Sequence, residues 1–196
     1  RINPCVTYNT GFKQAQGKYV MIQNPECIHV GDLFNYVNQT LTYDDYMAFS
    51  CYNCSSHELT SELLKDTTKI IDPKFNCRNK ICWYNHPIIR PVHYHFCAVV
   101  FNDNLKILGG FNEEFAKGHS FDDNEILLSL KYNLKLNIKT IGPENGFVIH
   151  QWHARDAESK FSKAQFDRML SHNQNLYYSY RNHHQKYSFN FPKLMH

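Results

Sequence analysis

The segment Gly109-Gly110-Phe111-Asn112-Glu113-Glu114-Phe115, continued by Gly118-His119-Ser120-Phe121-Asp122-Asp123-Asn124-Glu125, places paired glycines and several acids before an apolar run. Asp122 at a helix N-cap with Glu125 three residues later forms a capping box, and Phe121 with Ile126 forms a hydrophobic staple. Apolar residues then recur at helical spacing, at Ile126, Leu127, Leu130 and Leu134. The sequence therefore predicts a helix that begins at these acids.

Asp123 has no structural task in this capping scheme. The helix dipole favours its ionised form in the first turn, where an isolated acid is most often simply solvated. Here, however, the paired glycines, a helical turn from Glu113 to Lys117 and a C-cap at Gly118 crowd backbone turns around it. Such crowding is typical of a segment that lines a substrate site, so we expect a functional role for Asp123.

The composition is that of one soluble globular domain. The chain has 196 residues, of which 42% are hydrophobic and 20% charged, which is enough to bury a full core. The net charge of +3, without long basic runs, argues against nucleic acid as the main partner. No apolar run approaches the roughly 20 residues that a transmembrane helix needs, and no secretory signal opens the chain.

The seven cysteines are an odd number scattered along the chain and resemble reduced thiols more than a disulfide framework. We therefore expect a cytoplasmic protein, associated with a membrane only through parts of a longer chain. A zinc site formed by Cys51-x-x-Cys54 and Cys77-x4-Cys82 stays open as an alternative, although the second spacing is loose.

Near the start of the chain, Asn9-Thr10-Gly11 predicts a short helix that ends at Gly17. The almost continuously apolar segment from Lys18 to Gln23 is typical of a central strand in a mostly parallel sheet. Asn24-Pro25-Glu26 follows this strand directly, at the kind of position where open α/β sheets bind ligands. Glu26 is therefore a candidate ligand, whereas Asp32 is interpreted as the cap of a helix from Leu33 to about Gln39.

The rest of the chain gives a coarser pattern. We expect strands at Tyr46–Cys54, Phe96–Phe101, Leu134–Ile141 and Phe147–Ile149, a helical turn at Glu58–Leu64, and loops at Asp72-Pro73 and from Asn76 to Trp83. His150 and His153 follow the last strand, where two histidines at this spacing favour metal ligation more than a lone one does. Beyond Ala154 the sequence is polar and permits helix, with a tail from Tyr177 to His196.

Taken in order, these stretches resemble the inverting nucleotide-sugar glycosyltransferases of the GT-A fold, family 2 type. The resemblance runs from about Asn3 to His153, and each of its pieces is weak alone. The pieces are Asn9-x-Gly11-x-x-x-Ala15-x-Gly17, an apolar strand, an acidic loop, Gly109-Gly110-Phe111-Asn112-Glu113, Asp122-Asp123-x-Glu125 and a histidine after a strand. The resemblance implies an α/β fold with a GT-A-like, mostly parallel sheet flanked by helices. It implies a partial catalytic domain over residues 1–155 and a helical or irregular extension over residues 156–196.

The activity that the resemblance implies is transfer of a sugar, with inversion, from a nucleoside-diphosphate donor to a hydroxyl of a carbohydrate or glycoconjugate acceptor. Asp123 matches the family's general base, a role that contributes typically 10²–10⁴-fold. Donor and acceptor binding are expected of Asn9, Gly11, Asn24, Gly109, Gly110, Asp122, Glu125 and Trp152. Trp83 is the alternative to Trp152 for stacking on the acceptor ring.

The resemblance also implies a divalent ion against the diphosphate. The family's Asp-x-Asp loop reads Asn24-Pro25-Glu26 here, so the first acid is missing. Glu26, His150 and His153 are the expected ligands, and this mixture of oxygen and imidazole suits Mn²⁺, with Mg²⁺ as the alternative.

Two departures from the family's pattern leave other functions open, namely the missing first acid of the metal loop and a missing first strand and helix. The family's first strand and helix, which carry the acid that reads the nucleobase, are absent before Arg1, so we expect a fragment that binds donor weakly. One alternative is a non-catalytic carbohydrate- or partner-binding remnant of the same fold. Another is a metal-dependent hydrolase built on Glu26, His150 and His153. The donor, the acceptor and the oligomeric state are not indicated by the sequence.

Overall fold

Helices and strands are interspersed along the chain in an α/β fold, described by a computed structural model for residues 3–70, 80–154 and 160–187. The helices are α1 (Cys5–Gln14), α2 (Leu33–Thr40), α3 (His57–Lys65), α4 (Asn102–Leu108), α5 (Asp122–Tyr132) and α6 (Lys163–Tyr187). The strands are β1 (Tyr19–Gln23), β2 (Cys27–Val30), β3 (Asp45–Asn53), β4 (Trp83–Asn85), β5 (Cys97–Phe101), β6 (Asn137–Ile141) and β7 (Phe147–His150). Short 3-10 turns occupy Thr67–Ile70, Lys80–Cys82, Glu113–Lys117 and Pro143–Asn145.

Strand β3 is the centre of the sheet. The strand order is β1-β5-β3-β7-β2, and β4 and β6 also pair with β3. Every residue of β3 from Asp45 to Tyr52 is buried, as expected for a strand covered on both faces.

The sheet is mixed, so the expected mostly parallel arrangement is not confirmed. Strand β3 pairs in parallel with β7, but it pairs antiparallel with β4 and β5, and β2 pairs antiparallel with β7. Two of the antiparallel strands, β2 and β4, have only four and three residues. Strands of that length leave no periodic signal in the sequence, and the direction of a strand is not encoded in its apolar pattern.

The prediction that residues 18–23 form a central strand is wrong in its position. Strand β1 lies at one end of the strand order, and within the described strands its neighbour is β5. Ile22 is buried, whereas the other residues of β1 are only partly buried. An apolar run indicates burial, but it does not tell how many strands flank it.

Several predicted elements are confirmed. Strand β3 corresponds to the expected Tyr46–Cys54 strand and helix α3 to the expected Glu58–Leu64 turn, with ends shifted by one residue. Strands β5 and β7 are found where they were predicted. Asp32 caps α2, because its Oδ1 accepts a hydrogen bond from the backbone N of Asn35 at 3.0 Å. The predicted loop at Asp72-Pro73 and residues 76–79 of the loop predicted from Asn76 to Trp83 lie outside the described residues. The rest of that second segment is a 3-10 turn at Lys80–Cys82 and the first residue of β4.

The chain divides into two units. Unit 1 comprises Arg1–Val20, Phe101–Asn137 and Arg155–His196, and unit 2 comprises Met21–Val100 and Ile138–Ala154. Helix α6 therefore belongs to the same unit as α5, whereas the sequence interpretation divides the chain at residue 155. The helix continues to Tyr187, past the start of the tail expected at Tyr177.

The expectation that the cysteines are reduced thiols is met only in part. Five are free and buried, namely Cys5, Cys27, Cys51, Cys54 and Cys97. Cys82 is disulfide-bonded, so it is not available as the zinc ligand of the alternative site, and Cys77 lies outside the described residues. Within the described part of the chain, no helix has the length and apolar character needed to cross a membrane.

Candidate metal centre and acidic helix

Glu26 and His150 are brought together by strand pairing within unit 2. Glu26 lies in the turn between β1 and β2, and His150 is the last residue of β7. The antiparallel register sets Cys27 opposite His150, one residue from Glu26. Gln151 fixes the turn further, because its backbone N and its Nε2 both donate to the carbonyl oxygen of Glu26, at 3.1 and 3.2 Å.

The side chains of Glu26, His150 and His153 form a compact donor cluster. Oε1 of Glu26 lies 3.1 Å from Nε2 of His150 and 3.7 Å from Nε2 of His153. One ligand atom from each residue lies within 4.8 Å of the other two, which is a spacing that can hold a metal ion. Three protein ligands of this kind leave coordination positions open for water or substrate.

Burial favours the neutral ring of His150, the buried imidazole of the cluster. His153 Nδ1 lies 3.1 Å from the carbonyl oxygen of Ala154, to which it donates, and this bond orients the ring with Nε2 toward Glu26. Burial lowers the pKa of His150, although the charge of Glu26 and a backbone hydrogen bond with Gln151 oppose the shift. A neutral ring is the form that binds a metal ion.

Aromatic rings cover His150, while the other ligands face solvent. Tyr84 and Phe96 stack at 4.6 Å between ring centroids, and the ring of His150 meets their rings edge-on at 5.0 and 5.7 Å. His153 and Glu26 keep 49% and 29% of their side-chain surface exposed. The cluster is therefore shielded on one side and accessible on the other.

The two tryptophans differ in what they can bind. Trp152 is 44% exposed, and its backbone N donates to Oγ1 of Thr60 at 3.0 Å. Trp83 packs in a buried cluster with Tyr52 and Phe147, so the proposal that it stacks on an acceptor ring is wrong. The sequence does not separate them, since burial depends on the partners that the fold supplies.

The acids of unit 1 do not form the predicted capping box. Phe121 is the N-cap of α5, with φ of 66°, and no side chain caps the helix. Asp122 Oδ1 instead accepts from Nδ2 of Asn3 at 2.9 Å, and Glu125 Oε1 accepts from the hydroxyl of Ser129 at 2.7 Å. Burial raises the pKa of Glu125, opposed by the bond from Ser129. Asp122 therefore bonds a side chain distant in the chain, and Glu125 bonds a residue one turn further along α5.

The glycine segment of unit 1 is held by Asn9. The Asn9 side chain accepts from the backbone N of Phe111 at 2.8 Å and donates to the carbonyl oxygen of Phe111, at 2.8 Å, and to Glu113 Oε1, at 3.0 Å. Gly110 has φ of 82°, and a Cβ there would come within 2.3 Å of Asn9 Oδ1. Gly109, with φ of 83°, ends α4, whereas Gly11 lies in the helix α1 with nothing near it. This helix begins at Cys5, four residues before the expected start, and ends at Gln14.

The predicted site residues fall in both units. Glu26, His150 and His153 come together in unit 2, which also contains Asn24 and Trp152. Unit 1 contains Asn9, Gly11, Gly109, Gly110, Asp122, Asp123 and Glu125. Asn3 and Phe96 contact these residues without having been predicted to do so, because isolated polar and aromatic residues carry no periodic signal.

Comparison with models of protein families found no match, and comparison with curated proteins found no significant relative.

Proposed function

We propose that this protein is a metal-assisted inverting glycosyltransferase of the GT-A type, which moves a sugar from a nucleoside-diphosphate donor to an acceptor hydroxyl. The observation that carries the proposal is the cluster that Glu26, in the turn that follows β1, forms with His150 and His153 at the end of β7. In the resemblance on which the proposal rests, this turn is the place of the metal-binding acids. Because the sheet is mixed and not mostly parallel as expected, the GT-A assignment rests on the donor cluster and on the order of the sequence motifs.

The donor set fits a divalent ion of intermediate hardness. One carboxylate and two imidazoles suit Mn²⁺ better than Mg²⁺, which prefers oxygen ligands. One carboxylate does not neutralise a divalent ion, so the loaded site keeps positive charge that attracts a diphosphate. When bound, such an ion stabilises the negative charge that develops on the departing diphosphate.

The residues around the cluster have distinct tasks in this proposal. Glu26 supplies the anionic ligand, and the backbone bonds of Gln151 hold it in place. The stacked rings of Tyr84 and Phe96 keep water from one side of His150, which strengthens local electrostatic interactions. Trp152, half exposed beside His153, offers an apolar face for a sugar ring.

Asp123 is the proposed general base. It lies in the first turn of α5, where the helix dipole favours the carboxylate form needed to accept a proton. The proton that it removes comes from the acceptor hydroxyl as that oxygen attacks the anomeric carbon.

The test combines nucleotide binding with turnover in the purified protein. We expect calorimetry to show UDP or GDP binding that requires Mn²⁺ and that is lost in Glu26→Gln. We expect Asp123→Asn to keep nucleotide binding and to lose sugar transfer by about 10²-fold or more. The exposed Asp103→Asn in α4 is the matched control, and both of its properties should equal those of the unaltered protein.

The alternatives predict different results. A hydrolase built on the same cluster would bind Mn²⁺ without affinity for either nucleotide. A non-catalytic remnant would bind nucleotide or carbohydrate, with no turnover in either the parent or the Asp123→Asn variant. Absence of nucleotide binding in the presence of bound Mn²⁺ counts decisively against the transferase.

A further inference from the structure

One face of α6 lies against the segment that leads into α5. The backbone N of His119 donates to the carbonyl oxygen of Met169 at 3.2 Å. One turn further along α6, Asn173 bonds the same segment, and the next turn brings the ring of Tyr177 to 5.5 Å from that of Phe121. Residues four apart share one face of a helix, so these contacts form a single continuous interface within unit 1.

Asn173 is the centre of this interface. It is fully buried, and its Nδ2 donates to the carbonyl oxygens of Phe115, at 3.0 Å, and Ser120, at 2.7 Å. Both hydrogens of the Asn173 amide therefore bond to backbone carbonyls outside α6. A Cβ on Gly118 would come within 2.1 Å of Asn173 Oδ1 and 2.6 Å of the Met169 carbonyl oxygen, so glycine is required for this close approach.

The backbone that Asn173 holds is strained. Ser120 and Phe121 have φ of 59° and 66°, two consecutive non-glycine residues in the left-handed region. Such a conformation persists only where surrounding contacts stabilise it, and it is common at functional sites. The carbonyl of Ser120 accepts from Asn173 and, at 3.4 Å, from Nδ2 of Asn3.

This strained turn determines where α5 begins. Phe121 is the N-cap residue, and Asp123 is the second residue of the helix. A change in the two left-handed φ angles rotates the first turn of α5 and displaces the Asp123 carboxylate with it. Catalysis is sensitive to such displacement, since a misplacement of about 1 Å can cost about 10²-fold in rate.

We propose that Asn173 is a positioning residue for Asp123, and that it acts by holding the Ser120–Phe121 turn in its left-handed conformation. This inference rests on the proposed function, since it takes Asp123 as the general base. It gives α6, which the sequence assigned to a C-terminal extension, a part in the catalytic machinery.

The experiment compares steady-state kinetics of Asn173→Ala with those of Asn175→Ala, a matched change on the exposed face of the same helix. We expect Asn173→Ala to lower kcat by about 10- to 100-fold while KM for the donor stays unchanged, and Asn175→Ala to change neither. Adding Ser120→Gly to Asn173→Ala should restore kcat several-fold, because glycine adopts the left-handed conformation without help. Loss of a purely structural anchor would not be repaired in that way.

The outcomes separate this inference from the proposed function. Normal kcat in Asn173→Ala, with Asp123→Asn inactive, overturns the positioning role alone. A double variant no more active than Asn173→Ala also overturns it. If Asp123→Asn is as active as the parent, the proposed function itself fails. Should Asn173→Ala not fold, Asn173→Ser keeps one donor, and a kcat equal to that of Asn175→Ser contradicts the inference.

Discussion

The carboxylate of Glu26 lies 3.1 Å from Nε2 of His150, although the two residues are 124 positions apart in the chain. The β2–β7 pairing creates this proximity, and His153 brings a second imidazole nitrogen to 3.7 Å from the same carboxylate oxygen. The arrangement has consequences that metal-binding and stability measurements can check.

Loss of either Glu26 or His150 should weaken Mn²⁺ binding. Changes outside the direct ligands of metal sites typically cost 10–100-fold in affinity, so Glu26→Gln and His150→Ala should each cost at least about tenfold. The measurement is a titration of free Mn²⁺ by electron paramagnetic resonance. His57→Ala, an exposed histidine in the same unit, is the control and should bind like the unaltered protein. Equal affinity in all four proteins would show that the cluster is not a metal site.

Gly110 and Gly11 should respond in opposite ways to alanine. Gly110→Ala forces a side chain into the left-handed region and against Asn9 Oδ1, so we expect the free energy of unfolding to fall by about 2 kcal/mol or more. Gly11→Ala adds a helix former at an open position of α1, so we expect a gain of about 0.5–1 kcal/mol. Urea denaturation measures both. Similar effects at the two sites would contradict the described loop.

Asp122 should matter more for stability than an ordinary first-turn acid. Asp122→Ala leaves the buried amide of Asn3 without its 2.9 Å partner, so we expect a loss of about 1–3 kcal/mol. Asp103→Ala removes an exposed first-turn acid of α4 and should cost within about 0.5 kcal/mol. Thermal and urea unfolding compare the two variants, and an equal small effect would argue against the buried Asn3–Asp122 bond.

The two tryptophans should be separable by truncation. Trp83→Ala removes a side chain that is 4% exposed and should lower the free energy of unfolding by about 3–5 kcal/mol. Trp152→Ala, at a half-exposed position, should cost less than about 1 kcal/mol and instead weaken ligand binding. The comparison uses urea denaturation together with calorimetric titration of nucleotide and carbohydrate. Normal stability in Trp83→Ala is the result that would contradict the assigned core.

Acid should destabilise the protein partly through His86. Its Nδ1 accepts from the backbone N of Ile88 and Ile89, at 3.1 and 3.0 Å, so the folded state requires a neutral ring. Burial lowers the pKa of His86 below its ordinary value of 6.5, although Glu144 opposes the shift. The unfolded state therefore binds the proton first, and the stabilisation present above about pH 6.5 is lost as the pH falls through the unfolded pKa.

The His86→Asn variant isolates this effect. The amide oxygen of asparagine can accept the same backbone hydrogens but does not titrate, so stability should fall less between about pH 7.5 and pH 5.5 than in the unaltered protein. Urea denaturation at the two pH values gives the difference. Parallel losses in both proteins would remove His86 as a contributor.

Local features were predictable from the sequence. Asp32 before Leu33 predicted the start of α2, because a cap and its helix are neighbours in the chain. The long apolar segment of β3 and the shorter one of β5 predicted strands, because periodicity follows from backbone geometry. Glu26, His150 and His153 were named as ligands from their places after strands, and metal binding by them stays a prediction.

Tertiary structure decided how these pieces meet. It turned Asp122 toward Asn3, placed β1 at the end of a mixed sheet, and set α6 against the turn before Asp123. The Asp32 cap and the apolar runs of β3 and β5 depend on residues that are near one another in the chain, so the sequence by itself determines them. Pairing, burial and strained turns depend on the packing free energy of distant segments, which no local pattern contains.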